Sequence, residues 1–372
     1  QAKADMDARR VPDQDPGTVT YVDYPTEMYA ELFAFLSLVS NDQAVRDDYA
    51  RRARTLLMYV INRAAQGATA EQPFRDPEFA VNDRSRWHGE SFPLTVDWIY
   101  PYLTAADKIL IRQVFLRWIN DCLDAAVTGH DHPVPIGLVN DPVLTRDQTQ
   151  VRWAANNYFT AHMRNIGLMA MALDAADDPD NILRGALRNA TGAWLYIIDY
   201  LMRQDSRGGL FPEGFEYSPQ SLGYVAQFLL ALRTAGQDDP AAWGPQAVLT
   251  NNPFWDDLMP AYLQSLSPAP AQIPDVGPVY QPAWFGDGLN YAAPDAISLF
   301  GALGLYDAAA GRAGRLEAAR WIQTHAAPGG AEGITERTRN GEYNLNSILY
   351  FLLLDPTAAA PRDPRPSQPL ML

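Results

Sequence analysis

The sequence predicts an all-α fold, and three observations carry that expectation. Apolar residues recur at helical spacing through most of the 372 residues. No run alternates apolar and polar residues with β-branched enrichment, so no strand signal competes. The helical stretches fall in pairs separated by short polar turns, the pattern of stacked antiparallel hairpins.

The elements follow in order. Residues 26–40 carry Met28, Leu32, Phe33, Leu36 and Val39 on one face, and residues 43–66 carry Tyr49, Ala53, Leu56, Leu57 and Val60. Residues 85–102 and 105–126 form a pair broken at Leu103-Thr104, with Thr104 as N-cap. Residues 150–175 and 179–203 are separated by Asp-Asp-Pro-Asp, a stop-and-restart signal. Residues 218–235 pair with 239–265, and 290–304 with 312–325; a short helix is expected at 341–354. Ten or eleven helices without a short repeat fit a closed or nearly closed ring of hairpins, an incomplete (α/α)5-6 toroid, better than an open solenoid. The expected domains are an extended segment 1–22, a helical domain 23–354 and a proline-rich linker or tail 355–372. The chain begins at Gln1 rather than Met and ends on that proline-rich stretch, which points to a processed product and to a fragment of something longer.

Composition narrows the function. The formal net charge of −15 argues against nucleic acid. It also disfavours a polyanionic substrate unless cations gather in one cleft. No stretch of eighteen apolar residues exists to span a membrane. The single cysteine, Cys122, cannot form an internal disulfide, so packing must supply stability. Aromatics are abundant (9 Trp, 18 Tyr, 14 Phe); they serve as core residues or as platforms for sugar rings.

Four stretches concentrate chemistry. In Gly208–Tyr224 a glycine turn leads into Glu213, Glu216 and Tyr217, then into a helix through Leu222, Val225, Phe228, Leu229 and Leu232; Tyr224 closes the stretch. Trp153–Gly167 places Asn156, Asn157 and Tyr158 at the start of an apolar helix, with His162 and Arg164 further along. Asn156 caps that helix and Asn157 satisfies a neighbouring loop, or one amide enters a cleft and binds a carboxylate or hydroxyl; His162 is a core histidine or a site residue. Trp87-His88-Gly89-Glu90 sits at a loop-to-helix transition and lines a subsite or makes an ion pair. Pro278–Gly288 sets Tyr280, Trp284 and Asp287 around a Gly-Asp-Gly loop that closes a cleft or forms a structured turn. His130-Asp131-His132 is too small a donor set for a metal, with no cysteine cluster and no His-Glu-x-x-His pattern beside it. Dinucleotide, Walker and Gly-x-Ser-x-Gly motifs are absent, so no metal or cofactor is expected.

Together these stretches resemble the N-terminal helical domain of the heparinase II/III-like polysaccharide lyases and related alginate lyases. Four pieces carry the resemblance in order, over roughly residues 85–300: Asp97-Trp-Ile-Tyr followed by Leu-Thr-Ala-Ala-Asp-Lys, Asn156-Asn157-Tyr158 followed by Gly167, Gly209 through Pro-Glu-Gly to Tyr217, and the Gly-Asp-Gly loop. The resemblance implies β-elimination on a uronate-containing glycan, with Asn157 neutralising the carboxylate and Tyr217 as catalytic tyrosine. His162 and Arg164 join them as catalytic candidates. Asn156, Tyr158, Trp87, His88, Glu90, Glu213, Glu216, Tyr224, Trp284 and Asp287 are the expected glycan-binding residues. It also implies a secreted or periplasmic protein and a C-terminal β-sandwich, which this chain lacks or a second chain supplies. Where the family carries histidine after the motif asparagine, this chain has Tyr158. Neutralising the carboxylate matters because it stabilises the enolate-like intermediate formed when the C5 proton leaves. A tyrosine, with its reference pKa of about 10, suits an acid role as it stands and a base role only beside a cation; Arg152, Arg164 and Arg207 are the nearest cations in sequence. Two other classes stay open: a toroid glycoside hydrolase with two carboxylates roughly 5–10 Å apart, drawn from Glu213, Glu216, Glu90 and Asp287, and a non-catalytic glycan-binding or structural protein.

Overall fold

Helix signals at the sequence level become helices in the fold wherever a cap and an apolar face agree. The computed structural model describes residues 1–12, 25–124, 141–273, 277–283, 293–312, 314–325 and 361–367, with the single positions 348 and 352. The helix expected at 341–354 and the His130-Asp131-His132 motif lie outside the described residues, as do Trp284 and Asp287. The described residues are mostly helical, and the strands among them are one antiparallel pair, β1 (Ala271–Ile273) and β2 (Gly277–Val279).

Contacts divide the chain into two compact units: Gln1–Ile136 with Ala161–Thr191, and Gly137–Thr160 with Gly192–Leu372. Each unit is built from two separate stretches of sequence.

The first unit opens with α1 (Ala2–Asp7), inside the segment expected to be extended. Asp5 holds it down, accepting from Arg10 and, at 2.8 Å, from Tyr29 Oη. Then come α2 (Pro25–Val39) and α3 (Gln43–Ala64), which pack against each other, and α4 (Asp83–His88) and α5 (Ser91–Trp98). The predicted single helix over 85–102 is broken at Gly89-Glu90 and ends in a 3-10 turn at Tyr100–Tyr102 that contains Pro101. Helix α6 (Ala105–Leu123) starts on Thr104, whose side chain accepts from the Asp107 N–H while Asp107 accepts from the Thr104 N–H. An aromatic core of Phe74, Phe79, Phe92, Phe115 and Trp118, with ring centroids as close as 5.0 Å, fills the space between these helices.

In the second unit α7 (Gln148–Trp153) ends three residues before α8 (Asn157–Met171), so the predicted 150–175 helix is two helices hinged at Asn156. Helix α8 begins in the second unit and continues as part of the first, as does the chain through α9 (Ile182–Ala186) and a π-helical turn at Leu187–Gly192. Helix α10 (Ala193–Gln204) buries Trp194, whose Nε1 donates to the Ala154 carbonyl at 3.2 Å. Then follow α11 (Gly214–Thr234), α12 (Pro240–Trp243), α13 (Phe254–Ser265), α14 (Ala293–Ala308) and α15 (Gly314–His325), with α14 packed on both α11 and α15. Gly304 sits at the α14–α15 crossing, where a Cβ would lie 2.9 Å from the Leu316 Cα. The proline-rich segment 361–367 folds back onto this unit. The Arg365 guanidinium lies 4.3 Å from the Tyr280 ring centroid and 5.1 Å from that of Trp321, and Nη1 donates to the Ser267 carbonyl at 3.0 Å.

Candidate functional site

The glycine turn of the second unit has a strict backbone requirement. Gly208 and Gly209 take φ of +84° and +86°. A Cβ on Gly209 would lie 2.6 Å from the Asp257 carbonyl oxygen. The chain then reaches Glu213, the residue before α11, whose side chain leaves its own helix uncapped. Its Oε1 instead accepts the Asn157 backbone N–H at 3.1 Å and the Asn157 Nδ2–H at 3.3 Å, while Oε2 accepts the Ser221 hydroxyl at 2.7 Å. One carboxylate therefore joins the starts of α8 and α11, with its charge at the positive end of both helices.

Asn156 is the N-cap of α8: its Oδ1 accepts from the Tyr158 and Phe159 N–H groups at 3.0 and 3.3 Å. Asn157 is buried with its carboxamide turned to Glu213. Tyr217 is half-buried on α11, one turn past Glu213 and one turn before Ser221, so the three positions share a face of the helix. Tyr158 is half-buried and Tyr224 is buried further along α11. Glu216 lies in the first turn of α11. The structure thus gathers Asn157, Glu213 and the Tyr217 face of α11 into one locus. Sequence reasoning missed Ser221; its signal was the spacing of eight from Glu213, two turns on the same helix face.

A different locus forms in the first unit. Glu90 and Arg164 are fully buried and bridge at 2.8 Å. The Arg164 fork also donates to Asn165 Oδ1 from Nε at 3.1 Å and from Nη2 at 2.9 Å. Asn165 Nδ2 in turn donates to the Ser85 carbonyl at 2.9 Å. Gly89 makes room for it: a Cβ there would lie 2.1 Å from Asn165 Nδ2. Beside Glu90 stands Glu31 of α2, which accepts the Ser91 hydroxyl at 2.7 Å. Burial pushes the Glu31 carboxyl up to about 8, and the Glu90 charge adds to the rise against Ser91 and Arg164. Burial likewise raises Glu90, to about 7, with Arg164 opposing it. His88 is buried and held neutral, pushed down to about 3 by desolvation and by the charges of Arg84 and Arg164. Arg84 forms a second buried pair with Glu27 at 2.5 Å.

Burial corrects the expected role of several residues here. His88, Glu90, His162 and Arg164 are each about 1% exposed or less, so a polymeric glycan does not reach them in this fold. Arg164 and Glu90 make the ion-pair alternative, and His162 is a core histidine. Trp87, half-buried, stacks under the Arg86 guanidinium 4.8 Å from its ring centroid. Glu31, Ser91 and Asn165 escaped the sequence reading. Glu27 and Glu31, four apart on the face of α2 that also carries Ala30 and Ala34, were the available signal. The expected cations near Tyr217 are engaged elsewhere: Arg152 with Asp205 at 3.0 Å and Arg207 with the Arg203 carbonyl at 2.8 Å. Among the described residues no group of three or more His, Cys, Asp and Glu side chains is placed to hold a metal, and no helix is long and apolar enough to cross a membrane.

No protein-family profile, curated protein or solved structure matches this chain.

Proposed function

We propose that this chain is the helical, toroid-type domain of a polysaccharide lyase that cleaves a uronate-containing glycan by β-elimination, with its chemistry in the second unit. The observation that carries the reading is the grip of Asn157 on a carboxylate. Its backbone N–H and carboxamide both donate to Glu213 at the start of α8, on the face of α11 that carries Tyr217. A pair of donors at a helix N-terminus that holds one carboxylate suits a second one in exchange. In the proposed reaction the uronate carboxylate takes the Asn157 donors and Glu213 keeps the Ser221 hydroxyl. Neutralised in this way, the uronate gives up its C5 proton to Glu213. Electrons from the C5–H bond form the C4–C5 double bond, the bond from C4 to the glycosidic oxygen breaks, and the Tyr217 phenol protonates the departing oxygen. Proton return from Glu213 to Tyr217 resets the pair. Tyr217 serves as acid because the arginines nearest in sequence have other partners, and an acid role needs no cation beside the phenol.

The test follows the unsaturated uronide by its ultraviolet absorbance on a panel of uronate polymers. Tyr217→Phe is expected to lower turnover by about 10²–10⁴-fold with little change in binding, and Asn157→Ala to weaken binding of acidic glycans above all. Turnover of Tyr217→Phe at the wild-type rate overturns the reading. Cleavage without unsaturated product would instead favour a hydrolase built on Glu213.

A further inference from the structure

The first unit holds an opening that the elimination chemistry does not use. It is a space of about 390 Å3 lined by Arg63, Gln66, Gln72, Pro73, Phe74 and Arg75. The loop after α3 builds it, and that loop is clamped. Arg117 of α6 donates from Nη1 to the Ala64 carbonyl at 2.5 Å and from Nη2 to the Phe74 carbonyl at 2.6 Å, which fixes both ends. Arg75 closes the loop on itself: Nε donates to the Gly67 carbonyl at 2.7 Å and Nη2 to the Gln66 carbonyl at 3.3 Å, while its own carbonyl accepts the Thr69 N–H at 2.9 Å. Gly67, at φ +94°, supplies the left-handed turn. Arg63 is steadied over the Tyr59 ring, 4.3 Å from its centroid. The wall is therefore formed before any ligand arrives, which lowers the ordering cost of binding.

Its charge is unusual for a chain with a net charge of −15. Among the described residues neither Arg63 nor Arg75 lies within salt-bridge distance of a carboxylate. Burial holds Arg117 below its usual pKa, and the Arg75 charge pushes the same way against the pull of Asp121. Cations crowded around a concave space raise the local concentration of anions. The lining also suits a sugar. The exposed Arg63 guanidinium matches carboxylate or sulfate oxygens, while Arg75, its Nε and Nη2 held by backbone carbonyls, adds positive charge. The Gln66 and Gln72 carboxamides offer donors and acceptors to hydroxyls. Pro73 gives an apolar edge backed by the buried Phe74, and the volume falls within the range of about 300–1,000 Å3 usual for small-ligand sites.

We propose that this opening, held entirely within the first unit, binds an anionic sugar ring bearing a carboxylate or a sulfate ester. The inference goes beyond the elimination reading and does not require it. The test uses the full chain carrying Asn157→Ala, which removes the proposed carboxylate donor of the second unit. Calorimetric titration then compares a glucuronate-containing trisaccharide, a sulfated trisaccharide, a neutral trisaccharide of equal length and inorganic sulfate. The expected result is binding of one or both acidic sugars that weakens with added salt, and loss of about tenfold or more in affinity when Arg63→Ala is added. Gln72→Ala should weaken the same sugars less. The carboxylated and sulfated arms identify which anion the site prefers. Arg63 is exposed, so Arg63→Ala should keep the parent's circular dichroism; Arg63→Lys keeps the charge and tests the fork separately. Equal binding of neutral and acidic trisaccharides overturns the proposal, as does inorganic sulfate binding as tightly as the sulfated sugar, or an Arg63→Ala affinity equal to that of its parent. If Asn157→Ala alone abolishes all acidic-sugar binding, this site is overturned while the elimination reading stands.

Discussion

Two carboxylate clusters in this molecule contain similar groups and differ in their access to water. In the first unit Glu90 meets Arg164 and stands beside Glu31, with every member fully or almost fully buried. In the second unit Glu213 meets Asn157 and Ser221 and stays half-buried, one turn from Tyr217. Full burial turns the first cluster into a brace, because the Arg164 fork is spent on Glu90 and Asn165 and desolvation raises both acids. In the second, Glu213 keeps partial exposure while Asn157 and Ser221 are buried beside it, and the proposed chemistry uses that exposed edge. A motif of polar residues near a helix start does not reveal which of these it will become; the depth at which it lies decides.

The sharpest way to break this contrast is to orphan the buried charge. Arg164→Ala leaves Glu90 buried without its cation and beside Glu31, and should cost about 3–5 kcal/mol in chemical denaturation. The paired replacement Arg164→Met with Glu90→Leu should recover most of that loss. Equal damage from single and double variants would show that packing rather than charge holds the brace.

The next effect is a pH dependence. Glu31 and Glu90 are raised in the folded state, so the folded protein keeps protons that the unfolded chain releases above its ordinary carboxylate pKa. That contribution is fully present below about 4.5 and is lost as pH rises toward about 8. His88 works oppositely: lowered to about 3, it favours folding as pH rises from about 3 through the ordinary histidine range. Stability should therefore climb from acid, pass through a maximum and decline toward pH 8. Glu31→Gln should flatten the decline, and a slope unchanged in that variant would refute the assignment.

In the second cluster Ser221→Ala removes one hydrogen bond to Glu213 and should cost about 1 kcal/mol. Glu213→Gln keeps the shape, weakens the helix-terminus interaction by a few tenths to about 1 kcal/mol and, under the proposed chemistry, abolishes proton abstraction. The smallest expected effect on stability is that of Tyr217→Phe, below about 0.5 kcal/mol, although its effect on turnover should be large. A Tyr217→Phe variant that unfolds readily would place the phenol in the structural class with Glu90.

Local signals were the legible part of this fold. Thr104 announced its N-cap, Asn156 its cap as one of two readings, and Gly208-Gly209 its turn, because each acts within a few residues of itself. The breaks at Gly89 and Asn156 were hidden because helical periodicity continues across them; the need for glycine at 89 comes from Asn165, which approaches from distant sequence. The Glu31–Glu90 neighbourhood was equally hidden, since α2 alone shows two glutamates on a small-residue face and nothing of what they will meet. In the candidate site Asn157, Glu213 and Tyr217 were all legible as residues, whereas the hydrogen bonds that join Asn157 to Glu213 depend on how α8 and α11 begin side by side.

The docking of Arg365 on Tyr280 and Trp321 bears on the order of assembly. Its bond to Ser267 joins positions 98 residues apart, and closing so long a span carries an entropic cost that local helix formation does not. The platform must exist before the guanidinium has a place to rest, so this clasp forms after α15 is in position and releases before the helices do on heating. Limited proteolysis along a temperature ramp should therefore trim the 361–367 strap while α11, α14 and α15 still resist.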